Sequence, residues 1–237
     1  MIRPSQRHFA PENLDPRLRA GLVGHWIGGG SGNTWFDRSG YGNHGALTNG
    51  PLWTLGREGH RNALSFDGSD DYVTVPDSAS LDVTTGLTIG LLYRKTSTLS
   101  KIEIGKGAIA PSACFHLEIY SDGNAYFYVS GNGSTIVYTG GAVPQDTAWH
   151  HLAARYDGTT IKVFLDGRDQ GFATVGTVPS SLFNSTNSLN IGFGGAGYVP
   201  YCAGIKDDVR TYNRALSETE IALIAQPSFL SVDPRRW

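Results

Sequence analysis

Oxygen-bearing side chains crowd into two glycine-rich stretches of this chain. Asp37 and Asn43 lie in DRSGYGNHG, and Asp67, Asp70 and Asp71 lie in DGSDD. Calcium takes about six to eight hard oxygens, and loops dense in Asp, Asn and backbone carbonyls can supply them. A structural calcium is therefore the one cofactor expected, with Asp37, Asn43 and Asp67 as candidate ligands. The competing reading is that the same side chains brace their own turns through backbone hydrogen bonds. Asp207 is a further candidate. Strand alternation sends Asp207 and Asp208 to opposite faces, and Asp207, in phase with Val209, is expected to tie down a neighbouring loop.

Other chemistries fare worse. Glycoside hydrolysis needs two carboxylates about 5 to 9 Å apart across one sugar bond. Glu103 and Glu118 are the strand-borne glutamates, and neither has an acidic residue two or four places away. No Gly-x-Ser-x-Gly elbow and no His-Glu-x-x-His pair occurs. Residues 192–197 match Gly-x-Gly-x-x-Gly, but Tyr198-Val199-Pro200 follows and cannot open the helix a pyrophosphate would need. His150 and His151 point to opposite faces of a strand and cannot share a metal. The chain is not expected to be an enzyme. The loop aromatics Trp35, Tyr41, Trp53 and Tyr198, with Tyr201, are candidates to stack on a sugar ring or else to lid the edge of a core.

Short strands must position these groups. In Trp149 to Gly167, WHHLAARYDGTTIKVFLDG, two runs of period-2 alternation flank Asp157-Gly158, which is the grammar of a β-hairpin. Comparable runs recur between Leu22 and Tyr212, separated by turn signals such as Asn49-Gly50-Pro51, Asp67-Gly68 and Asn132-Gly133. Strands at that spacing predict an all-β fold, a two-sheet antiparallel jelly-roll sandwich. One short C-terminal helix is expected, because Ser217 and Glu220 form a capping box ahead of Ile221, Leu223 and Ile224. Gly is frequent, at 31 residues, which suits so many turns. Trp26 and Trp149 fall within strand patterns and are expected in the core.

Net charge is −2, which gives the body no electrostatic reason to seek nucleic acid or anionic lipid. The 14 Arg outnumber the 5 Lys, which favours ordered, forked contacts. No apolar run is long enough for a membrane span, and the N-terminus lacks the apolar region of a secretory signal. Cys114 and Cys202 are either two buried thiols or one bridge. Residues 1–20 and 227–237 are proline-punctuated and basic without an apolar period, so they are expected as extended terminal arms on a domain spanning 21–226. An arm without a core is held by a partner or by its own body. The partner-contact candidates are Arg3, Arg7, Phe9, Arg17, Phe229, Arg235 and Trp237.

Six segments in order carry a resemblance. They are LVGHW from Leu22, DRSGYGNHG from Asp37, ALSFDGSDDYVTVP from Ala63, the Trp149 to Gly167 hairpin, SLNIG from Ser188, and DDVRTYNRALSETEI from Asp207. Over about residues 21 to 225 the chain resembles the laminin G-like, concanavalin A-like jelly-roll domains of bacterial, phage and environmental sequences. The resemblance implies a non-catalytic sandwich that binds glycans, proteins or its neighbours in an assembly, often with calcium, and it makes Asp37 and Asn43 the first choices as ligands. The pattern departs from the family's at Gly90-Leu91-Leu92-Tyr93, at Lys206 and at Thr211. The function expected is that of a decoration or cement protein on a phage virion surface, gripping capsid subunits or like chains through its arms. The alternative is a carbohydrate- or receptor-binding, lectin-like module, extracellular or at a cell surface.

Overall fold

The computed structural model describes residues 15–30, 32–57, 62–96, 101–107, 112–194 and 201–226. Arg3, Arg7, Phe9, Tyr198, Phe229, Arg235 and Trp237 lie outside the described residues. In chain order the strands are β1 (Leu22–Trp26), β2 (Thr34–Trp35), β3 (Gly45–Thr48), β4 (Leu52–Leu55), β5 (Asn62–Asp67), β6 (Tyr72–Val75), β7 (Leu87–Lys95) and β8 (Lys101–Lys106). They continue as β9 (Phe115–Ile119), β10 (Asn124–Val129), β11 (Val137–Ala142), β12 (Trp149–Tyr156), β13 (Ile161–Leu165), β14 (Arg168–Asp169), β15 (Leu189–Ile191) and β16 (Ala203–Tyr212). Helix α1 is Pro16–Arg19 and helix α2 is Glu218–Ala225.

The strands make two sheets packed face to face. The first runs β14-β13-β12-β7-β16-β5-β4, with β1 also pairing β16, and the second runs β11-β10-β9-β8-β15-β6-β3-β2. All registered pairs are antiparallel, as short turn-connected strands such as the Asp157-Gly158 hairpin favour. The hairpin at Asp157-Gly158 forms as its chemistry dictates. Asp157 Oδ1 accepts from the amides of Thr159 and Thr160, and Gly158 takes a φ of +86°. Against partial burial, the hydroxyl and amide donors of Thr160 and Thr159 hold the Asp157 carboxyl down at about 2.

Between the sheets lies one core, with Trp26, Trp35, Phe66, Phe115, Phe127 and Tyr156 among its largest members. Among the described residues, a buried ion pair crosses it. Lys206 of β16 forms a buried ion pair with Glu103 of β8, its ammonium lying 5.7 Å from the Phe66 ring centroid. A departure from the family pattern thus has its own partner in the opposite sheet.

The outer face of the first sheet is covered. Helix α2 lays Ile221 and Ile224 against Phe164 and Tyr212, and Leu18 of α1 is fully buried in the same cluster. The capping box appears as expected, with Ser217 Oγ accepting from Glu220 N and the Glu220 carboxylate accepting from Ser217 N. The extended arm expected over residues 1–20 therefore gives way, from residue 15, to a helical turn docked on the body. Arg17 is spent locally, with its guanidinium on Asp15 at 2.6 Å and its carbonyl accepting from Arg214. Residues 172–175 form no strand and make one bridge, from Val175 to Tyr138.

Candidate functional site

The outer face of the second sheet is where polar and aromatic chemistry meets solvent. Strand β10 alternates strictly: Ala125, Phe127 and Val129 face the core, while Tyr126 and Tyr128 stand half-buried on the other side. Register places Tyr128 between His116 of β9 and Tyr138 of β11, and Tyr126 between Glu118 and Gly140. With Tyr120 these residues form one aromatic group. Ring centroids are 5.2 Å apart for Tyr120–Tyr126, 5.5 Å for Tyr128–Tyr138 and 6.1 Å for both Tyr126–Tyr128 and Tyr126–Tyr138. Such offset and edge contacts fix the rings in place.

Two glycines make room for rings to lie on the sheet. A Cβ at Gly105 would stand 2.6 Å from the His116 ring, and one at Gly140 would stand 3.0 Å from Tyr126. Tyr126 is held further by donating its hydroxyl to Asp122 Oδ2 at 2.8 Å, a bond that raises the phenol's pKa above its ordinary value. Beside the rings opens a cavity of about 160 Å³, lined by His116, Glu118, Tyr120 and Tyr128 with Phe115 and Ile136. That is ring-sized, since a cavity of about 150 Å³ holds benzene. Sequence reasoning passed over Tyr126, Tyr128 and Tyr138, although the Ala-Tyr-Phe-Tyr-Val alternation of β10 carried the signal.

The candidates drawn from the sequence are placed differently. Trp35 is fully buried in the core, so it lids nothing and cannot meet a ligand. Trp53 packs edge-on against it at 6.4 Å and donates its indole N–H to Gly32 O. Tyr41 is exposed but stands in a loop away from the tyrosine group. Asp37 braces its turn: Oδ1 accepts from the amides of His25 and Ser39, and Oδ2 from the Ser39 hydroxyl and the Asn43 amide. Asn43 bonds Val23 O, Ser80 Oγ and Ser78 Oγ. These bonds take the side-chain oxygens that a cation would need.

Asp67 is the metal candidate the structure supports by proximity. It gathers with Asp70 and Asp71, ligand atoms within 4.8 Å of one another, the one such group among the described residues. Burial, together with the Asp67 and Asp70 charges, raises the Asp71 carboxyl above its ordinary range. Oxygen donors of this kind suit a hard cation. Asp207 stands outside that group, its Oδ1 accepting from Asp208 N. The expected alternation fails there because a bulge interrupts β16 between Asp207 and Arg210, with Asp208 at a φ of +48°. Both aspartates are consequently buried.

Asp208 anchors a buried network on the covered sheet. It accepts from Arg210 Nε at 2.7 Å and bonds His25 Nε2 at 2.8 Å. Although burial opposes it, the Arg210 guanidinium with His25 drives the Asp208 carboxyl far below the carboxylate range. His151 is buried nearby, and desolvation pushes its pKa down to about 4. Gly90, another departure from the family pattern, lies under this ring, its would-be Cβ 3.3 Å from His151 Nε2. The network sits on the face that α1 and α2 occupy. Glu103 and Glu118, the two strand glutamates, face opposite sides of the second sheet, one towards Lys206 and one towards the cavity.

Comparison with known proteins agrees with this architecture. No curated protein matches the chain. Among solved structures, the binding domain of Paraclostridial Mosquitocidal Protein 1 superposes with a TM-score of 0.71 at 15% identity, covering 90% of this chain and 54% of that one. Domain 4 of AbnA, a GH43 extracellular arabinanase from Geobacillus stearothermophilus solved with arabinotriose, gives 0.67 at 20% identity, covering 87% and 99%. Trypanosoma rangeli sialidase in complex with sialic acid gives 0.65 at 17% identity, covering 89% and 33%. The chain thus spans about half the length of the first and a third of the last. At these identities the likeness is one of fold. The sequence model of the concanavalin A-like lectin/glucanases superfamily, Laminin_G_3, matches residues 67–222, and the chain belongs to that family.

Proposed function

We propose that this chain is a non-catalytic carbohydrate-binding module that receives its ligand on the outer face of the second sheet. The observation that carries the reading is the group of four tyrosines, Tyr120, Tyr126, Tyr128 and Tyr138, beside a ring-sized cavity. Aromatic faces held in fixed orientation present an apolar plane to the C–H face of a sugar, and their hydroxyls bond its rim. A similar fold in the arabinanase domain solved with arabinotriose supports it. Placing Glu103 and Glu118 on opposite sides of a sheet argues against paired-carboxylate hydrolysis. The relatives favour this reading over virion decoration, and the arm residues that would grip a capsid lie largely outside the described structure. Calcium at Asp67, Asp70 and Asp71 is a structural adjunct in this proposal, remote from the tyrosines along the sheet.

Affinity electrophoresis against neutral and amino-sugar polysaccharides of plant and bacterial type tests the proposal. At least one polysaccharide retards the chain, and Tyr128→Ala and Tyr138→Ala each weaken that retardation about fivefold, the equivalent of about 1 kcal/mol per stacked ring. Unchanged retardation in both variants, with the fold intact by circular dichroism, refutes it.

A further inference from the structure

The cavity beside the tyrosines holds a carboxylate with acceptor capacity to spare. Glu118 leaves the outer face of β9 and is 2% exposed. The one ion pair it makes among the described residues is with His116 Nδ1 at 3.8 Å, beyond hydrogen-bond reach. His116 is engaged elsewhere. Its Nε2 lies 2.7 Å from Gly107 O, and a carbonyl only accepts, so the Nε2 proton is given there and not to Glu118.

The remaining wall sharpens the point. Phe115, Val129 and Ile136 are apolar, and Tyr120 and Tyr128 turn aromatic rings towards the space. A carboxylate this little exposed and without a protein donor is poorly compensated, and ring faces add further negative potential. A sugar hydroxyl would give Glu118 one donor and no charge. An ammonium gives three donors and the compensating charge, and it is attracted by the adjoining rings.

Resting on the glycan reading, we infer that the sugar bound here is an amino sugar with a free, protonated amine, seated on Glu118 while its ring stacks on Tyr128. The chemical class is thus a cationic glycan, and Glu118 is its specificity-determining residue. Glu118 is almost wholly buried, so the charge pair forms where water screens it less than at the open surface.

Calorimetric titration of the intact chain, in neutral buffer, with a fully deacetylated glucosamine tetramer and with the same tetramer N-acetylated tests the inference. The deacetylated tetramer binds more than about tenfold tighter, and Glu118→Gln abolishes that preference. Equal affinity for the two tetramers overturns the inference, as does a preference that survives Glu118→Gln. Should the variant fail to fold, the comparison on the native chain decides alone. Retardation by neutral polysaccharides without preference for the amine removes this inference and leaves the glycan reading standing, whereas no binding to any glycan removes both.

Discussion

Replacing Gly105 with Ala is expected to dislodge the His116 ring, whereas Gly140→Ala disturbs the same face less. The methyl introduced by Gly105→Ala would stand 2.6 Å from His116 Cδ2 and 3.0 Å from Cγ. Carbon atoms rest at about 3.5–4.0 Å, so the ring must retreat by about 1 Å. That retreat breaks the 2.7 Å bond to Gly107 O. Leaving a buried carbonyl unpaired costs about 1–3 kcal/mol, and forcing a methyl into packed space costs about another 1–3. Ala recovers about 0.5–1 kcal/mol over Gly in a strand, so the net loss is about 3 kcal/mol. At Gly140 the methyl meets Tyr126 Cε1 at 3.0 Å and Ala125 O at 3.2 Å, tight contacts that a shift of a few tenths of an ångström relieves without breaking the Tyr126 hydroxyl bond, so the net loss is about 1 kcal/mol. Urea denaturation read as the midpoint at constant m-value separates the two variants. If Gly105→Ala costs no more than Gly140→Ala, His116 is not locked, and the cavity is not the preorganised site described above.

Three further outcomes are expected. The Arg214 guanidinium, at 2.7 and 3.1 Å, with the Ser217 donors and against partial burial, holds the Glu220 carboxyl down at about 2. Its stabilisation is complete above the unfolded value of about 4.3 and is lost as pH falls from there through about 2, so the acid limb of a pH–stability profile is flatter in Glu220→Gln; an unchanged limb contradicts this. Asp208→Asn leaves the buried Arg210 charge without its counterion and costs about 3–5 kcal/mol by denaturant titration, and a cost below about 1 kcal/mol contradicts the network's role. Calcium raises the melting temperature of the native chain and does not raise that of Asp71→Asn; identical melting curves with calcium and with chelator remove the ion.

Much of this architecture is legible in local chemistry. The Asp157-Gly158 hairpin, the Ser217 capping box and the alternation of β10 are rules of turn, cap and pleat, and each holds without tertiary help. Where tertiary context decides, local rules fail. Trp35 reads as a loop aromatic, yet its two-residue strand pairs with β3 and carries the indole into the core. Asp207 and Asp208 read as opposed, but a bulge interrupts the strand there and both are buried, and bulges leave no period to detect. Asp37 shows the limit of counting oxygens, because a carboxylate among amides satisfies itself before any ion arrives. The tyrosine face depends on three strands brought side by side, and only their register shows that Tyr128 and Tyr138 are neighbours. Glu118 and His116 are two residues apart on one strand, and their shared cavity exists only once Tyr120 and Tyr128 close around it.

A nuclear magnetic resonance titration of the isotope-labelled chain with a retarding oligosaccharide addresses the central claim most directly. Shift changes clustered on Gly105, His116, Tyr126, Tyr128 and Tyr138, with Asp208 and Arg210 unmoved, are the predicted result. Changes centred on the covered sheet or on the Asp67 loop, with the tyrosines silent, would contradict it.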